Sequence, residues 1–186
     1  MAKQTNNVVT HGLHGKIGDL LVFRQVNGKT IIAKMPQPSK KSSEKQQTQR
    51  KHFQEAIIYA KTAMADPAAK EAYRSSAPKG LTAYNMAVAD MLHAPSIENV
   101  DLSNYSGHAG DTIRIIIKDD FLVKEAKVTI INADGSPVEE GDATPDGSGL
   151  VWTFTATQDN ENTAGDKIII TASDLPGNAT QEEQVL

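Results

Sequence analysis

The sequence predicts an α+β chain, with a β-hairpin and about three helices followed by an all-β sandwich. Three observations carry this. Asn27-Gly28 sits between two β-prone runs, the arrangement of a two-residue hairpin turn. Residues 43–93 place apolar side chains at helical spacing between capping signals. From Ile97 onward, short β-prone runs alternate with turn clusters at the spacing of a two-sheet domain. The character changes at Pro95, giving expected domains of 1–95 and 96–186.

The hairpin occupies Asp19 to Pro36. Pairing outward from the turn sets Val26 against Lys29, Arg24 against Ile31, Val22 against Ala33 and Leu20 against Met35. The other face carries Phe23 with Ile32 and Leu21 with Lys34. Both faces are partly apolar, and a lone hairpin is marginal in water, so helices or another subunit must cover it. Leu20, Val22, Phe23, Arg24, Ile31, Ile32 and Met35 are therefore the candidate protein-docking residues.

Pro36 and Pro38 end the strand, and residues 37–41 read as a linker. Ser43-Glu44-Lys45-Gln46 fits a capping box, and Phe53, Ile57, Ala60 and Met64 then recur at helical spacing as the expected buried face. Asp66-Pro67 pairs an N-cap with a proline at the first helical position, opening a helix through about Arg74. A third helix is expected from about Leu81 to His93, burying Tyr84, Val88, Met91 and Leu92.

The expected strands are Ile97 to Leu102, Thr112 to Lys118, Ala126 to Asn132, Leu150 to Ala156, Lys167 to Ala172 and Gln181 to Val185. Turn clusters separate them, among them Asn104-Tyr-Ser-Gly107, Asp134-Gly135 and Asp146-Gly-Ser-Gly149. Trp152 alternates with Phe154 and is the natural core anchor.

Composition bounds the function. Of the 186 residues 39% are hydrophobic and 5% aromatic, so each core is modest, and the lack of cysteine excludes disulfides, thiolate metal sites and cysteine nucleophiles. Residues 1–95 hold 14 basic and 6 acidic residues, a net of +8; residues 96–186 hold 5 and 17, a net of −12. Such a division suits head-to-tail complementarity, or one half that docks and another that faces solvent. No apolar stretch follows Met1, so synthesis in the cytoplasm without a signal peptide is expected, with any export by lysis, by a signal-less route or within an assembled, virion-like particle. No run reaches the roughly 20 apolar residues of a spanning helix.

Two segments resemble known families. Gly165-Asp-Lys-Ile-Ile-Ile-Thr-Ala-Ser-Asp-Leu-Pro-Gly-Asn178, after Trp152-Thr-Phe-Thr-Ala-Thr157, resembles the closing strands of bacterial immunoglobulin-like modules. Those modules often end in an Ala-x-Asp-x-x-Gly-Asn turn, which implies an immunoglobulin-like sandwich. Gly12-Leu-His-Gly-Lys-Ile-Gly-Asp-Leu-Leu-Val-Phe-Arg24, with Gly28-Lys-Thr, Met35-Pro36 and Gln46-Gln-Thr-Gln-Arg50, is similar to an uncharacterised family of small Bacteroidetes and phage-associated proteins. That resemblance implies a component of a phage-like or contractile-injection particle.

The candidate chemistry is sparse. His11-x-x-His14 lacks the third protein ligand of a catalytic zinc site and reads as mobile or interface histidines. Gly12, Gly15 and Gly18 precede a strand, whereas a phosphate-binding loop follows one and opens a helix; they read instead as a segment packed closely on another backbone. The basic run from Lys40-Lys41 to Arg50-Lys51 is interleaved with Ser and Gln and reads as a solvated helix start or protein contact, so no nucleic-acid partner is expected. Asp119-Asp120, Asp174 and Asn178 read as turn caps, with a Ca²⁺ site at one end of the sandwich as the weaker alternative. Glu139-Glu140 falls in an expected exposed loop, and no Ser-His-Asp pattern is present. No catalytic residue, metal ligand or cofactor is assigned.

The expectation is a non-enzymatic structural or adaptor protein of a larger assembly, docking through the hairpin onto other subunits or copies of itself. The alternative is a glycan- or Ca²⁺-binding recognition module with an N-terminal anchor. Tyr105, Phe121, Trp152 and Phe154 are the aromatics available to a glycan platform, and the last two read as buried.

Overall fold

The computed structural model describes residues 2–4 (backbone only), 10, 12–26, 28–36 and 42–186. Among these, three helices and three antiparallel four-stranded sheets make the chain α+β with mostly β content. Contacts divide it into two compact units, Met1–Gln46 and Gln47–Leu186. The helices from Gln47 onward thus group with the C-terminal strands, although the sequence places them on the other side of a break at 95.

The first unit is a sheet of order β1-β4-β3-β2, from β1 (Ala2–Gln4), β2 (Gly15–Ile17), β3 (Leu21–Val26) and β4 (Lys29–Lys34). β3 and β4 form the expected hairpin in the expected register, from Val26 opposite Lys29 to Leu21 opposite Lys34. The Met35 amide donates to the Leu20 carbonyl at 2.9 Å and extends the pairing. Gly28 takes the positive φ (73°) that a tight hairpin turn demands, while Asn27 lies outside the described residues. Two short strands missing from the sequence analysis flank the hairpin: β2 pairs with β3, and β1 with β4. Gly12, Gly15 and Gly18 have φ of 79°, 108° and 54°, and a Cβ at any of them would meet no described residue within 4 Å. Left-handed backbone calls for glycine there, and no close approach to another backbone is seen among the described residues.

The helices follow their capping signals closely. α1 (Glu44–Ala65) opens on the expected capping box, the Ser43 amide donating to Gln46 Oε1 at 3.1 Å and the Gln46 amide to Ser43 Oγ at 3.3 Å. Its buried face is Ala56, Ala60 and Ala63; of the expected face only Ala60 is fully covered, and Phe53 is exposed. Small side chains let other elements approach this face, and the larger apolar residues are left at its margins. α2 (Pro67–Ser76) is capped by Asp66, which accepts from the Ala68 amide at 3.0 Å. α3 (Ala83–Leu92) begins later than expected because Thr82 Oγ1 accepts from the Asn85 amide at 3.2 Å. It buries Met86, Ala87 and Asp90, leaving Tyr84, Val88, Met91 and Leu92 half-buried. Ala60, Ala63, Tyr73, Met86 and Ala87 form one core, against which Phe121 packs from the strand region. The Tyr73 and Phe121 ring centroids are 4.2 Å apart.

The remaining strands are β5 (Ser96–Asp101), β6 (Thr112–Lys118), β7 (Val123–Ile131), β8 (Pro137–Asp142), β9 (Thr144–Pro145), β10 (Val151–Thr155), β11 (Lys167–Asp174) and β12 (Ala179–Val185). They make two sheets, β5-β6-β10-β9 and β12-β11-β7-β8. Strict alternation sends Ile113, Ile115 and Ile117 of β6, Val128 and Ile130 of β7, Trp152 and Phe154 of β10, and Ile168 and Ile170 of β11 into one shared core. β8 and β9 were not expected. Glu139 and Glu140 lie on β8, not in an exposed loop, and Glu139 accepts from the Thr157 amide at 2.8 Å and hydroxyl at 2.6 Å.

Candidate functional site

The seven candidate docking residues do not form one surface. Cross-strand pairing puts Val22, Arg24 and Ile31 on one face of the first sheet and Phe23 with Ile32 on the other. Phe23 is buried, with 8% of its surface exposed, so it is not free to dock. Val22, Ile31, Ile32 and Met35 are half-buried and Arg24 is exposed. Leu20 is 73% exposed in the turn joining β2 to β3. Beside it, Ile17 pairs with Leu21, and both are exposed. Ile17, Leu20 and Leu21 therefore form an apolar edge at one end of the sheet, and of the three only Leu20 is among the candidate docking residues. The flanking strands pair with part of each hairpin edge, so the edges of the described sheet are β1 and β2 and not the hairpin strands.

The other candidates of the first unit add little. His14 is exposed beside the Gly12 carbonyl, 3.4 Å from Nδ1, and His11 lies outside the described residues. Lys40 and Lys41 also lie outside them; Lys45, Arg50 and Lys51 are solvent-exposed on α1.

A second constellation is built within the second unit. Asp174 ends β11 on its inward-facing parity, after Ile168, Ile170 and Ala172, at a bulge in the pairing with β7. Its Oδ1 accepts from the Gly177 and Asn178 amides at 2.8 and 2.6 Å, closing the turn to β12. Asp119 follows β6, and its Oδ2 accepts from the Leu122 amide at 3.1 Å. Both are the turn caps expected from sequence. Asp90, on the buried face of α3, joins them, and one oxygen from each of the three carboxylates lies within 4.8 Å of the others. Asp120 turns away to His93 Nδ1 at 2.6 Å. Asn178 donates its side-chain amide to Asp174 Oδ2 at 2.7 Å and to the Asp90 carbonyl at 3.1 Å.

The electrostatics of this cluster are unbalanced. Asp90 is fully buried, and its Oδ2 accepts from the Tyr73 hydroxyl at 2.5 Å, which in turn lies 2.8 Å from the Tyr59 hydroxyl. Burial, assisted by the charges of Asp119, Asp174 and Asp120, pushes Asp90 up to about 7 despite the Tyr73 bond. Burial likewise raises Asp119, with Asp174 adding to the effect. Among the described residues, no lysine or arginine forms an ion pair with any of the three. Two carboxylates about 5 Å apart repel by roughly 3 kcal/mol at an effective dielectric of about 20. One hydrogen bond to a charged acceptor returns only about 1.5–3 kcal/mol. Three ionised carboxylates here thus need a positive partner or a shared proton.

Asp119, Asp174 and Asn178 do come together as the Ca²⁺ alternative required, while Asp120 does not. Asp90 was missed. Its one signal in the sequence was an acid placed four and three residues after Met86 and Ala87, on the same helical face.

No protein-family model and no curated protein matches the chain. Among solved structures it is similar to CopC from Methylosinus trichosporium OB3b, at 14% identity and a TM-score of 0.37, over 49% of this chain and 88% of that one. A likeness at this level bears on neither fold family nor function. No helix among the described residues is long and apolar enough to cross a membrane.

Proposed function

We propose that the protein is a non-enzymatic structural or adaptor subunit of a larger assembly, docking through its N-terminal sheet. The observation that carries this is the exposed apolar edge of Ile17, Leu20 and Leu21 on a sheet whose described residues bury little. Among the described residues of that unit, Phe23 and Thr30 alone are buried. A sheet so poor in core gains stability from a covering partner. The partner is another protein subunit, a further copy of the chain included, with no part for nucleic acid. The charges of +8 and −12 on residues 1–95 and 96–186 supply complementary surfaces for successive copies. The C-terminal pair of sheets serves as an immunoglobulin-like module, in keeping with its Asp174-to-Asn178 turn. The resemblance of residues 12–50 to phage-associated proteins makes a phage-tail-like or contractile-injection particle the fitting assembly.

Light scattering on the full-length protein tests this. At low salt it should run above monomer mass and dissociate as salt rises, while Leu20→Asp should be monomeric throughout and melt where the salt-dissociated wild type melts at the same salt. A wild-type monomer at every salt and protein concentration would exclude self-assembly and leave a different subunit as the partner. Assembly undiminished in Leu20→Asp and Ile17→Asp would remove the docking edge from the proposal.

A further inference from the structure

The geometry points to a divalent-cation site, with Ca²⁺ as its natural occupant, formed by Asp90, Asp119 and Asp174. Three observations meet here, none of which depends on the adaptor reading. The carboxylates come from three elements remote in sequence and converge within 4.8 Å. Asp90 is wholly buried, yet its Oδ1 accepts no hydrogen bond from any described residue, and the buried Oδ1 of Asp119 accepts none from them either. Orphaned buried carboxylate oxygens are costly and call for a partner. Finally, no lysine or arginine among the described residues pairs with the cluster.

The donor set selects the metal class. All three side chains offer oxygen, which suits hard cations such as Ca²⁺ and Mg²⁺ and not thiophilic or imidazole-seeking metals. The neighbouring imidazole, His93, is engaged by Asp120. Ca²⁺ tolerates irregular oxygen sets, whereas Mg²⁺ demands near-octahedral geometry. Asp90 and Asp119 each keep a structural bond, to the Tyr73 hydroxyl and the Leu122 amide, while offering an unpartnered oxygen; Asp174 accepts on both oxygens, from the turn amides and the Asn178 side chain, and would ligate through a remaining lone pair. A bound cation would tie α3 to the end of β6 in one sheet and of β11 in the other.

The test uses the EDTA-stripped full-length chain. Ca²⁺ at about 1 mM, the affinity range of extracellular Ca²⁺ modules, should raise the melting temperature. At about ten times the Kd the rise should be about 3–6 °C for a domain of this size. Tb³⁺, a luminescent stand-in for Ca²⁺, should show emission sensitised through Tyr73 and quenched by added Ca²⁺. Asp90→Asn keeps an acceptor for Tyr73 and should lose both responses; Asp119→Asn, which spares the buried Tyr73 contact, serves as the second variant. Wild-type protein with neither a thermal shift nor sensitised emission overturns the site. So does a Ca²⁺ shift that persists undiminished in both variants, since the net −12 of residues 96–186 then accounts for it.

Discussion

Asn178 donates its side-chain amide to the carbonyl of Asp90 at 3.1 Å, although the two residues stand 88 positions apart. The same amide reaches the Met91 and His93 carbonyls at 3.3 and 3.4 Å, so a turn between two strands satisfies the open end of α3. Asn178→Ala should cost about 1–3 kcal/mol, the penalty for orphaning buried acceptors. In a thermal melt each kcal/mol lowers the midpoint by about 2–4 °C. A midpoint within a degree of wild type would show that these bonds are replaced by water.

Tyr73→Phe isolates the hydroxyl relay. The ring and its contact with Phe121 remain, but Asp90 loses its donor and Tyr59 its partner. A loss of about 2 kcal/mol in urea denaturation is expected, with unchanged helical circular dichroism. An equal loss in Tyr59→Phe would instead place the effect on the outer hydroxyl.

Asp111 supplies a pH dependence. The His108 amide, then the amide and hydroxyl of Ser106, hold its carboxyl down to about 2 from an ordinary 3.8. A depressed folded-state value stabilises the native chain above the unfolded value, and that contribution fades as pH falls through the folded one. Wild type and Asp111→Asn should therefore differ most in melting temperature above about pH 4 and converge towards pH 2. Parallel curves across that range would count against it.

Gly107→Ala should be among the most damaging small substitutions. Its φ is +94°, and a Cβ would sit 2.3 Å from the Asn160 carbonyl oxygen, on backbone that cannot swing aside. The same pair is joined by an Asn160 amide to Gly107 carbonyl bond at 2.7 Å. A loss of at least about 2 kcal/mol is expected, measured by denaturant unfolding. Gly110→Ala, with open space around it, is the control for φ strain alone.

What could be read from sequence was what local chemistry dictates. Asn27-Gly28 specified the hairpin register, Ser43 to Gln46 and Asp66-Pro67 marked two helix starts, and alternation around Ile115 and Ile170 marked core strands. β8 escaped because Val138 to Asp142 carries charges and a glycine suited to a sheet edge; its strand state comes from pairing with β7, not from propensity. The buried face of α3 holds Met86, Ala87 and Asp90, a face that apolar spacing alone does not mark because a carboxylate sits in it. The carboxylate cluster is assembled from residues 90, 119 and 174, so no window of sequence contains it. Its two strand-end members were visible as turn formers; the helical one was hidden among residues chosen for packing.

The Asn178 bonds have a bearing on how the second unit breathes. Because one turn residue fastens α3 to the β11–β12 connection, opening the helix end also strips that turn of its anchor. Native-state hydrogen exchange should therefore find the amides of the last turn of α3 opening in step with those of Gly177 and Asn178, as one cooperative foldon spanning helix and strand.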